Sequence, residues 1–329
     1  MDKILFRLDF DKLIGFGHLV RCNTLASKLK NRNSENIILG NIEKNSFINF
    51  KKNFDKIINY KNKKIKNDIL NIVNFYKKNK CKLLVLDKPF RDKKYNYLLK
   101  KNNIKWIEFI SSIRKKSQAN YVICTIPYST KEIRDLEKKS KKDQKFYYGS
   151  KYTILRDQFY KPKTTKTKKY IFINLGGGND RNGTVLILKN IYNYLDDFKI
   201  KLLIGNNTNY RKIKLWIKRN DNLKKIKVIK STNKIVKHID ESKFAICSAG
   251  QISHEINSRS KKMILISIVD NQILQAKKWR HYGHSYIGKI SNINNKKLLD
   301  KVKLLKKEKE KKFKLNEKKY IKIINEITK

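Results

Sequence analysis

Nine short apolar runs, rich in β-branched and aromatic residues, limit what this chain can become. They are Ile4–Leu8, Lys82–Leu86, Trp106–Ile110 and Tyr121–Ile126 in the first half, and Tyr170–Leu175, Lys201–Ile204, Ile226–Ile229, Phe244–Cys247 and Met263–Val269 in the second. A strand buried on one face alternates apolar and polar residues, whereas most of these runs are nearly continuous. Continuity of that kind predicts strands covered on both faces, as in a parallel sheet. Helical patterns lie between them. After Gly17, residues Leu19, Cys22, Leu25, Ala26 and Leu29 recur at a three-four spacing that makes one apolar stripe. The alternation predicts an α/β chain with two Rossmann-like, doubly wound domains, and 329 residues suffice for two cores.

The segment YKPKTTKTKK has no apolar periodicity and precedes a new strand, so residues 161–169 read as a linker. The expected domains are then 1–160 and 170–290, followed by a basic helical segment over 291–329. No sequence repeat is evident beyond a strand and a Gly-rich turn opening each half.

The chain carries 80 Lys and Arg against 28 Asp and Glu, a formal charge of +52. Such a charge steers nucleic acid and anionic membranes toward a protein. A binding footprint, however, clusters on one face or in one tail. Here Lys, Ile and Asn crowd strands and helices alike, as in compositional drift toward AT-rich codons. No specific nucleic-acid partner is therefore expected, and anionic substrates fit either origin. An apolar content of 40% argues against wholesale disorder. Of the four cysteines, Cys81, Cys124 and Cys247 lie in or beside apolar runs and read as small hydrophobes. The beginning, MDKILFRLDFDKLIGFGH, contains acids and no long apolar core, and no run approaches the roughly 18 apolar residues of a span. The reading is a cytoplasmic monomer with no membrane span. His281 and His284 have no carboxylate or thiol near them in sequence, so neither a metal nor a cofactor is expected.

Three constellations carry chemistry. In the first, Arg7-Leu8-Asp9 ends a strand, Gly15 and Gly17 turn the chain, and a helix begins beside His18, with Arg21 one turn on. Glycines let a ligand approach the backbone, and a helix start suits phosphate and disfavours imidazolium. His18 is the candidate general base, with Asp9 and Arg21 to orient it or its substrate. In the second, Gly176, Gly177 and Gly178 follow a strand end, more glycines than a turn alone needs; the dinucleotide fingerprint spacing is not met. In the third, Ser248-Ala249-Gly250-Gln251 is followed by Glu255 and then by Asp270-Asn271-Gln272. A carboxylate at Glu255 can accept both ribose hydroxyls while turn amides face phosphates. Taken singly, the glycines also read as tight turns, Glu255 as a surface charge and Asn271 as a helix cap.

Together these residues resemble a known family. The segment FRLDFDKLIGFGHLVRCNTLA is similar to the opening of the UDP-2,4-diacetamido-2,4,6-trideoxy-β-L-altropyranose hydrolases of the pseudaminic acid pathway, and to spore-coat polysaccharide relatives. The resemblance continues through LLVLD at 83–87, through YGSKYTILRDQFY at 148–160 with Gly149, Tyr152, Leu155, Arg156 and Phe159, through the glycines 176–178, and through SAGQISHE at 248–255 and DNQ at 270–272. It implies a GT-B-like glycosyltransferase fold, two Rossmann-like domains facing a cleft, with UDP held mainly by the second half. It also implies metal-independent, inverting hydrolysis of a UDP-linked amino sugar, releasing UDP and the free sugar for nonulosonate synthesis. On that resemblance His18 is the catalytic base, Asn271 contacts sugar or water, Glu255 binds ribose, and Arg7, Asp9, Gly15, Gly17, Arg21, Gly176, Gly177, Gly178, Ser248, Gly250 and Gln272 line the substrate. The sequence departs from the family where WIEFI is followed by Ser111-Ser112 rather than paired acids, and at Cys124-Thr125-Ile126-Pro127, where an Asn pair is common. A transferase of the same fold, a noncatalytic UDP-binding relative and a charge-driven polyanion binder are the competing readings.

Overall fold

The apolar runs become strands, and every neighbouring pair of strands runs parallel. A computed structural model describes residues 1–9, 17–42, 52–60, 65–87, 93–112, 117–138, 144–177, 180–205, 210–230, 234–309, 311–315 and 317–328. The first sheet contains β1 (Asp2–Leu8), β2 (Ser34–Gly40), β3 (Lys56–Asn59), β4 (Leu83–Asp87), β5 (Trp106–Phe109), β6 (Tyr121–Cys124) and β7 (Lys145–Tyr148), in the order β3-β2-β1-β4-β5-β6-β7. Its register sets Phe6 opposite Ile38 on one side and Val85 on the other. The second sheet contains β8 (Tyr170–Asn174), β9 (Lys199–Leu203), β10 (Ile226–Ile229), β11 (Phe244–Ser248), β12 (Lys262–Ser267) and β13 (Ser285–Lys289), in the order β10-β9-β8-β11-β12-β13. Both are doubly wound sheets, with the strand order reversing once near the middle.

All nine expected strands occur, each end within two residues of the expected one. The four that sequence patterning missed are β2, β3, β7 and β13. Three of these are sheet edges, where burial on two faces does not select a continuous apolar run. The fourth, β2, is interior but opens with Ser34-Glu35-Asn36. Asn36 is fully buried and breaks the apolar signal, and its amide donates to the Ala26 carbonyl at 2.9 Å and the Asn53 carbonyl at 3.1 Å.

The helix Gly17–Lys30 buries the stripe Leu19, Cys22, Leu25, Ala26 and Leu29 completely. Each of its leucines contributes about 1.5–3 kcal/mol on burial, an upper range because the unfolded chain is itself partly compact. The second core gathers Ile171, Ile173, Ile246, Ile264 and Ile266 from the sheet with Ile187, Leu188 and Leu298 from covering helices.

Two units result, Met1–Ile154 with Lys318–Lys329, and Leu155–Glu317. The stretch 161–169 is fastened to the second unit. Arg259 donates to the Lys161 carbonyl at 2.7 Å, and the Lys168 amide donates to the Glu241 carbonyl at 2.8 Å. The C-terminal stretch is divided: helix Asn295–Lys307 belongs to the second unit and helix Tyr320–Ile327 to the first. There the Tyr121 hydroxyl donates to the Glu326 carbonyl at 2.7 Å, and Lys145 pairs with the Glu326 carboxylate at 2.7 Å.

Candidate active site

A doubly wound sheet opens a crevice outside the carboxyl ends of its strands, at the point where strand order reverses. That point lies between β1 and β4 in the first unit and between β8 and β11 in the second. His18 and Arg21 stand beside the first, Gly176, Gly177 and Ser248 beside the second, and Asn271 and Gln272 follow the neighbouring β12.

In the first unit β4 ends on Asp87, which is buried, and its carboxylate collects the neighbouring polar groups. His18 Nδ1 lies 2.7 Å from Asp87 Oδ1, and Arg21 donates Nε to Oδ2 at 2.9 Å and Nη2 to Oδ1 at 2.7 Å. The spacing follows from the helix: residues 18, 21 and 22 lie on one face, and the Cys22 thiol also donates to Asp87 at 3.4 Å. The Arg21 guanidinium lies 4.5 Å from the Phe109 ring centroid, which fixes its plane. Burial opposes ionisation of Asp87, but the charges of Arg21 and His18 and their hydrogen bonds outweigh it and hold the carboxyl well below the usual carboxylate range. Nδ1 faces the ionised carboxylate at 2.7 Å and, farther off, the Arg21 Nη2 donor at 3.2 Å; the nearer acceptor favours the ring proton at Nδ1 and the lone pair at Nε2. Nε2 has no hydrogen-bond partner among the described residues, and the His18 side chain is 24% exposed. The ring can therefore take a proton from a group in the crevice.

Arg7 stands behind this site. It is 1% exposed, with its guanidinium divided between Asp68 at 2.9 Å and Asp9 at 2.5 Å. The expected direct contact of Arg7 with substrate does not fit this placement, since both its faces are taken by protein carboxylates. Its effect is to hold Asp9 at the end of β1, where Asp9 also accepts the Asn41 amide at 3.0 Å. Gly17 opens the helix with open space around it. Gly15 lies outside the described residues.

In the second unit Asn174 ends β8 and ties the glycine turn. Its side-chain amide donates to the Leu203 carbonyl at 2.8 Å, and its oxygen accepts the Gly176 amide at 3.1 Å. Gly176 has φ +100, a left-handed conformation that only glycine adopts without strain, and a side chain there would touch the Ser248 hydroxyl. Gly177 follows it, and Gly178 lies outside the described residues. Ser248, Gly250 and Gln272 gather beside this turn: a Cβ on Gly250 would stand 3.8 Å from the Ser248 hydroxyl and 3.6 Å from the Gln272 amide nitrogen. Gln272 is held by the Ile268 amide, which donates to its oxygen at 2.9 Å. Asn271 is exposed beyond the end of β12, in a 3-10 turn rather than as a helix cap.

Two details alter the sequence reading. The helix start after the glycine turn is capped by protein: Asp180, buried, accepts the Asn182 amide at 3.2 Å and the Thr184 amide at 3.1 Å. An anion at this turn meets loop amides rather than those helix amides. Glu255 is no surface charge; it is 4% exposed and accepts from Arg156 at 2.9 Å. Burial raises its pKa, and the Arg156 charge and hydrogen bond offset only part of that rise.

No family model matches the chain. An uncharacterized protein of Methanocaldococcus jannaschii is 29% identical over 228 residues, which is 63% of this chain and 43% of that protein. The aligned part thus spans less than half of the relative's length. Among solved structures, MurG of Acinetobacter baumannii superposes with a TM-score of 0.62 at 13% identity, covering 93% of this chain and 91% of that one. The UDP-GlcNAc 2-epimerase of M. jannaschii gives 0.61 at 15% identity over 99% of both chains. Staphylococcus aureus MnaA, in a co-structure with UDP, gives 0.60 at 12% identity, covering 94% and 89%. The fold is GT-B-like. At these identities the likeness establishes that fold alone.

Within the GT-B-like chain, sequence reasoning missed three participants. Asp87 was visible as the acid closing LLVLD, and Arg156 as part of TILRDQF, but neither had been given a role. Gly205 carried no signal beyond following β9. A Cβ there would lie 2.4 Å from Gly177 Cα and 2.8 Å from the Gly176 carbonyl oxygen, both backbone atoms. Gly205→Ala must displace the glycine turn. It is expected to cost about 1–3 kcal/mol in urea unfolding; wild-type stability would show that the turn yields freely.

No helix among the described residues is long and apolar enough to cross a membrane, and no three His, Cys, Asp or Glu side chains among them are grouped to hold a metal ion. His284 is committed to structure, with Nδ1 accepting the Met263 amide at 3.2 Å and Nε2 at 3.0 Å from Asn257 Oδ1. Burial, then the charges of Lys311 and Lys262, push its pKa from 6.5 down to about 3. A depressed histidine pKa gives stability that is fully present above the unfolded value. Between those two values the unfolded chain binds the proton first, so stability falls on acidification by up to about 1.4 kcal/mol per pH unit. Urea unfolding at pH 5 is expected to show about 2 kcal/mol less stability than at pH 7 from this group. His284→Gln, which can keep both hydrogen bonds, should flatten that difference; an undiminished pH dependence would place the titrating group elsewhere. The four cysteines are free and buried, and burial raises the thiol pKa of Cys81 to about 11 and of Cys124 to about 12, as expected of small hydrophobes.

Proposed function

We propose that this chain hydrolyses a UDP-linked amino sugar in the cytoplasm, without a metal and with inversion at the anomeric carbon. The observation that carries the reading is the His18–Asp87 pair at the switch point of the first sheet, with no hydrogen-bond partner at Nε2 among the described residues. In the proposed reaction Nε2 takes a proton from water as the water oxygen bonds to the anomeric carbon. The bond from that carbon to the phosphate oxygen breaks, and UDP leaves with the electron pair. The imidazolium then returns its proton to solvent. Asp87 keeps the ring in the reactive tautomer and balances the charge that forms on it.

The second unit would receive the UDP. The turn at Gly176 and Gly177, the Ser248 hydroxyl and the backbone at Gly250 offer donors for the diphosphate, and dipoles of this kind can stabilise a leaving phosphate without a metal. Glu255, oriented by Arg156, is the candidate ribose acceptor, and Asn271, exposed at the same edge, the candidate contact to sugar or water. The UDP named for MnaA and UDP-GlcNAc named for the epimerase support this class of substrate. The departures at Ser111-Ser112 and Cys124–Pro127 lie at or just beyond the carboxyl ends of β5 and β6, so a sugar pocket built there would differ from that of the resembled family.

A transferase is the second reading, favoured by the likeness to the kitacinnamycin glycosyltransferase, with a TM-score of 0.60 over 93% of this chain. Incubation with UDP-linked diamino sugars and no acceptor separates the two. Hydrolysis gives steady UDP release with an equal amount of free sugar, whereas UDP release that requires an added hydroxyl acceptor would assign transfer and discard hydrolysis.

A further inference from the structure

The second unit has a basic cavity at the end of its sheet opposite to the glycine turn. Phe244 and Lys262, the first residues of β11 and β12, line it, whereas Ser248 and Ser267 end those strands at the other edge. Strands of this length separate the two edges by about 15 Å at about 3.3 Å per residue. The cavity is shallow and open to solvent, with only about 20 Å³ of enclosed space, so the character of its lining rather than its size is what distinguishes it. Seven of its twelve lining residues are Lys or Arg and one, Glu308, is acidic. The chain as a whole has 80 such cations in 329 residues. General lysine enrichment would therefore supply about three of twelve, and the lining holds more than twice that.

The cations also converge. Lys262 Nζ and Lys311 Nζ stand 3.2 and 4.0 Å from the point where a Cβ on Gly283 would lie. Lys163 and Lys261 both donate to the Thr167 hydroxyl, at 2.7 and 2.9 Å. Bringing ammonium groups together costs free energy that a bound multivalent anion recovers. Arg259 is not available for this, since Asp240 engages it at both oxygens and it stacks on Phe313. Glu308 meets Lys262 at 3.3 Å. Lys243, Lys309 and Lys311 have no carboxylate partner among the described residues. The depressed pKa of buried His284, to which Lys311 and Lys262 contribute, reports the same positive field.

We propose that this cavity binds a compact multivalent phosphate anion, at a site separate from the carboxyl edge of the sheet. Cations gathered at one strand end, on Lys163, Lys243, Lys261, Lys262, Lys309 and Lys311, suit a small oligophosphate or a phosphorylated headgroup rather than the extended backbone of a nucleic acid. The proposal does not depend on the hydrolase reading.

The test is calorimetric titration of the full chain with inorganic tripolyphosphate, with and without saturating UDP. The comparison is between two variants of equal charge loss. One combines Lys243→Gln, Lys309→Gln and Lys311→Gln; the other combines Lys100→Gln, Lys214→Gln and Lys218→Gln, all exposed on helices that do not line the cavity. A saturable single site that persists with UDP is expected, weakened about tenfold or more by the cavity variant and within about twofold by the control, as three partly exposed ion pairs would give. Equal weakening by both variants, or a multi-site isotherm without saturation, would mean net-charge attraction alone and overturn the proposal. Co-sedimentation with phosphatidylcholine vesicles containing phosphatidic acid distinguishes the source. Cavity-dependent vesicle binding assigns a lipid headgroup and its absence a soluble phosphate, either result supporting the site if the titration does. A single-stranded oligonucleotide that competes more strongly than tripolyphosphate would count against a compact ligand.

Discussion

His18→Ala is expected to lower UDP release by two or more orders of magnitude, about the loss that follows removal of a general base, with UDP affinity unchanged on calorimetry. Asp87→Asn should do comparable damage for a different reason. The asparagine preserves shape but can present a donor to Nδ1, which would move the ring proton to Nε2 and remove the lone pair from the crevice; wrong-tautomer substitutions of this kind cost up to about 10⁴ in turnover. The loss should fall on kcat rather than KM, because Asp87 acts through the ring. Asp87→Asn also leaves the Arg21 guanidinium with a weaker partner, so thermal unfolding must accompany the assay. Full turnover in His18→Ala would remove His18 from the chemistry. A folded Asp87→Asn protein with wild-type kcat would leave His18 as the base but discard its positioning by Asp87.

The second large effect concerns folding. Arg7→Met is expected to cost about 3–5 kcal/mol in urea unfolding, the range for breaking a buried ion pair from one side. Burial alone would lower the Arg7 pKa, but Asp9 and Asp68 outweigh it, so the guanidinium is held firmly charged. Without it Asp68, fully buried, keeps the Tyr95 hydroxyl but loses its cation. The double variant Arg7→Met with Asp68→Asn should recover part of the loss, since the orphaned charge is gone. A single-variant cost below about 1 kcal/mol would show that water reaches the site and replaces the guanidinium.

Much of the fold was legible because parallel strands record their two-sided burial as unbroken apolar runs. The stripe from Leu19 to Leu29 was equally plain, since a covered helix face must repeat at three and four residues. Edge strands β3, β7 and β13 lack the first constraint, and Asn36 in β2 is a polar group satisfied by carbonyls that sequence reading does not place. The placement of the candidate residues was legible: His18, the glycine turn and the Ser248 turn all stand at carboxyl edges. Partnerships were not. That His18 answers to Asp87, 69 residues away, and Glu255 to Arg156, 99 residues away, depends on which strands lie side by side. Arg7 looked like a ligand contact for the same reason, because its burial is set by Asp68 in another helix.

The return of helix Tyr320–Ile327 to the first unit makes that unit discontinuous in the chain. A fragment ending at Ile154 would leave the hydroxyl of Tyr121 and the ammonium of Lys145 without Glu326 and uncover the face where Tyr320, Ile323 and Ile327 are buried. Dissecting this protein into independently expressed halves would therefore require a grafted copy of the last dozen residues, spliced through a designed tether, and simple truncation should yield an aggregation-prone product.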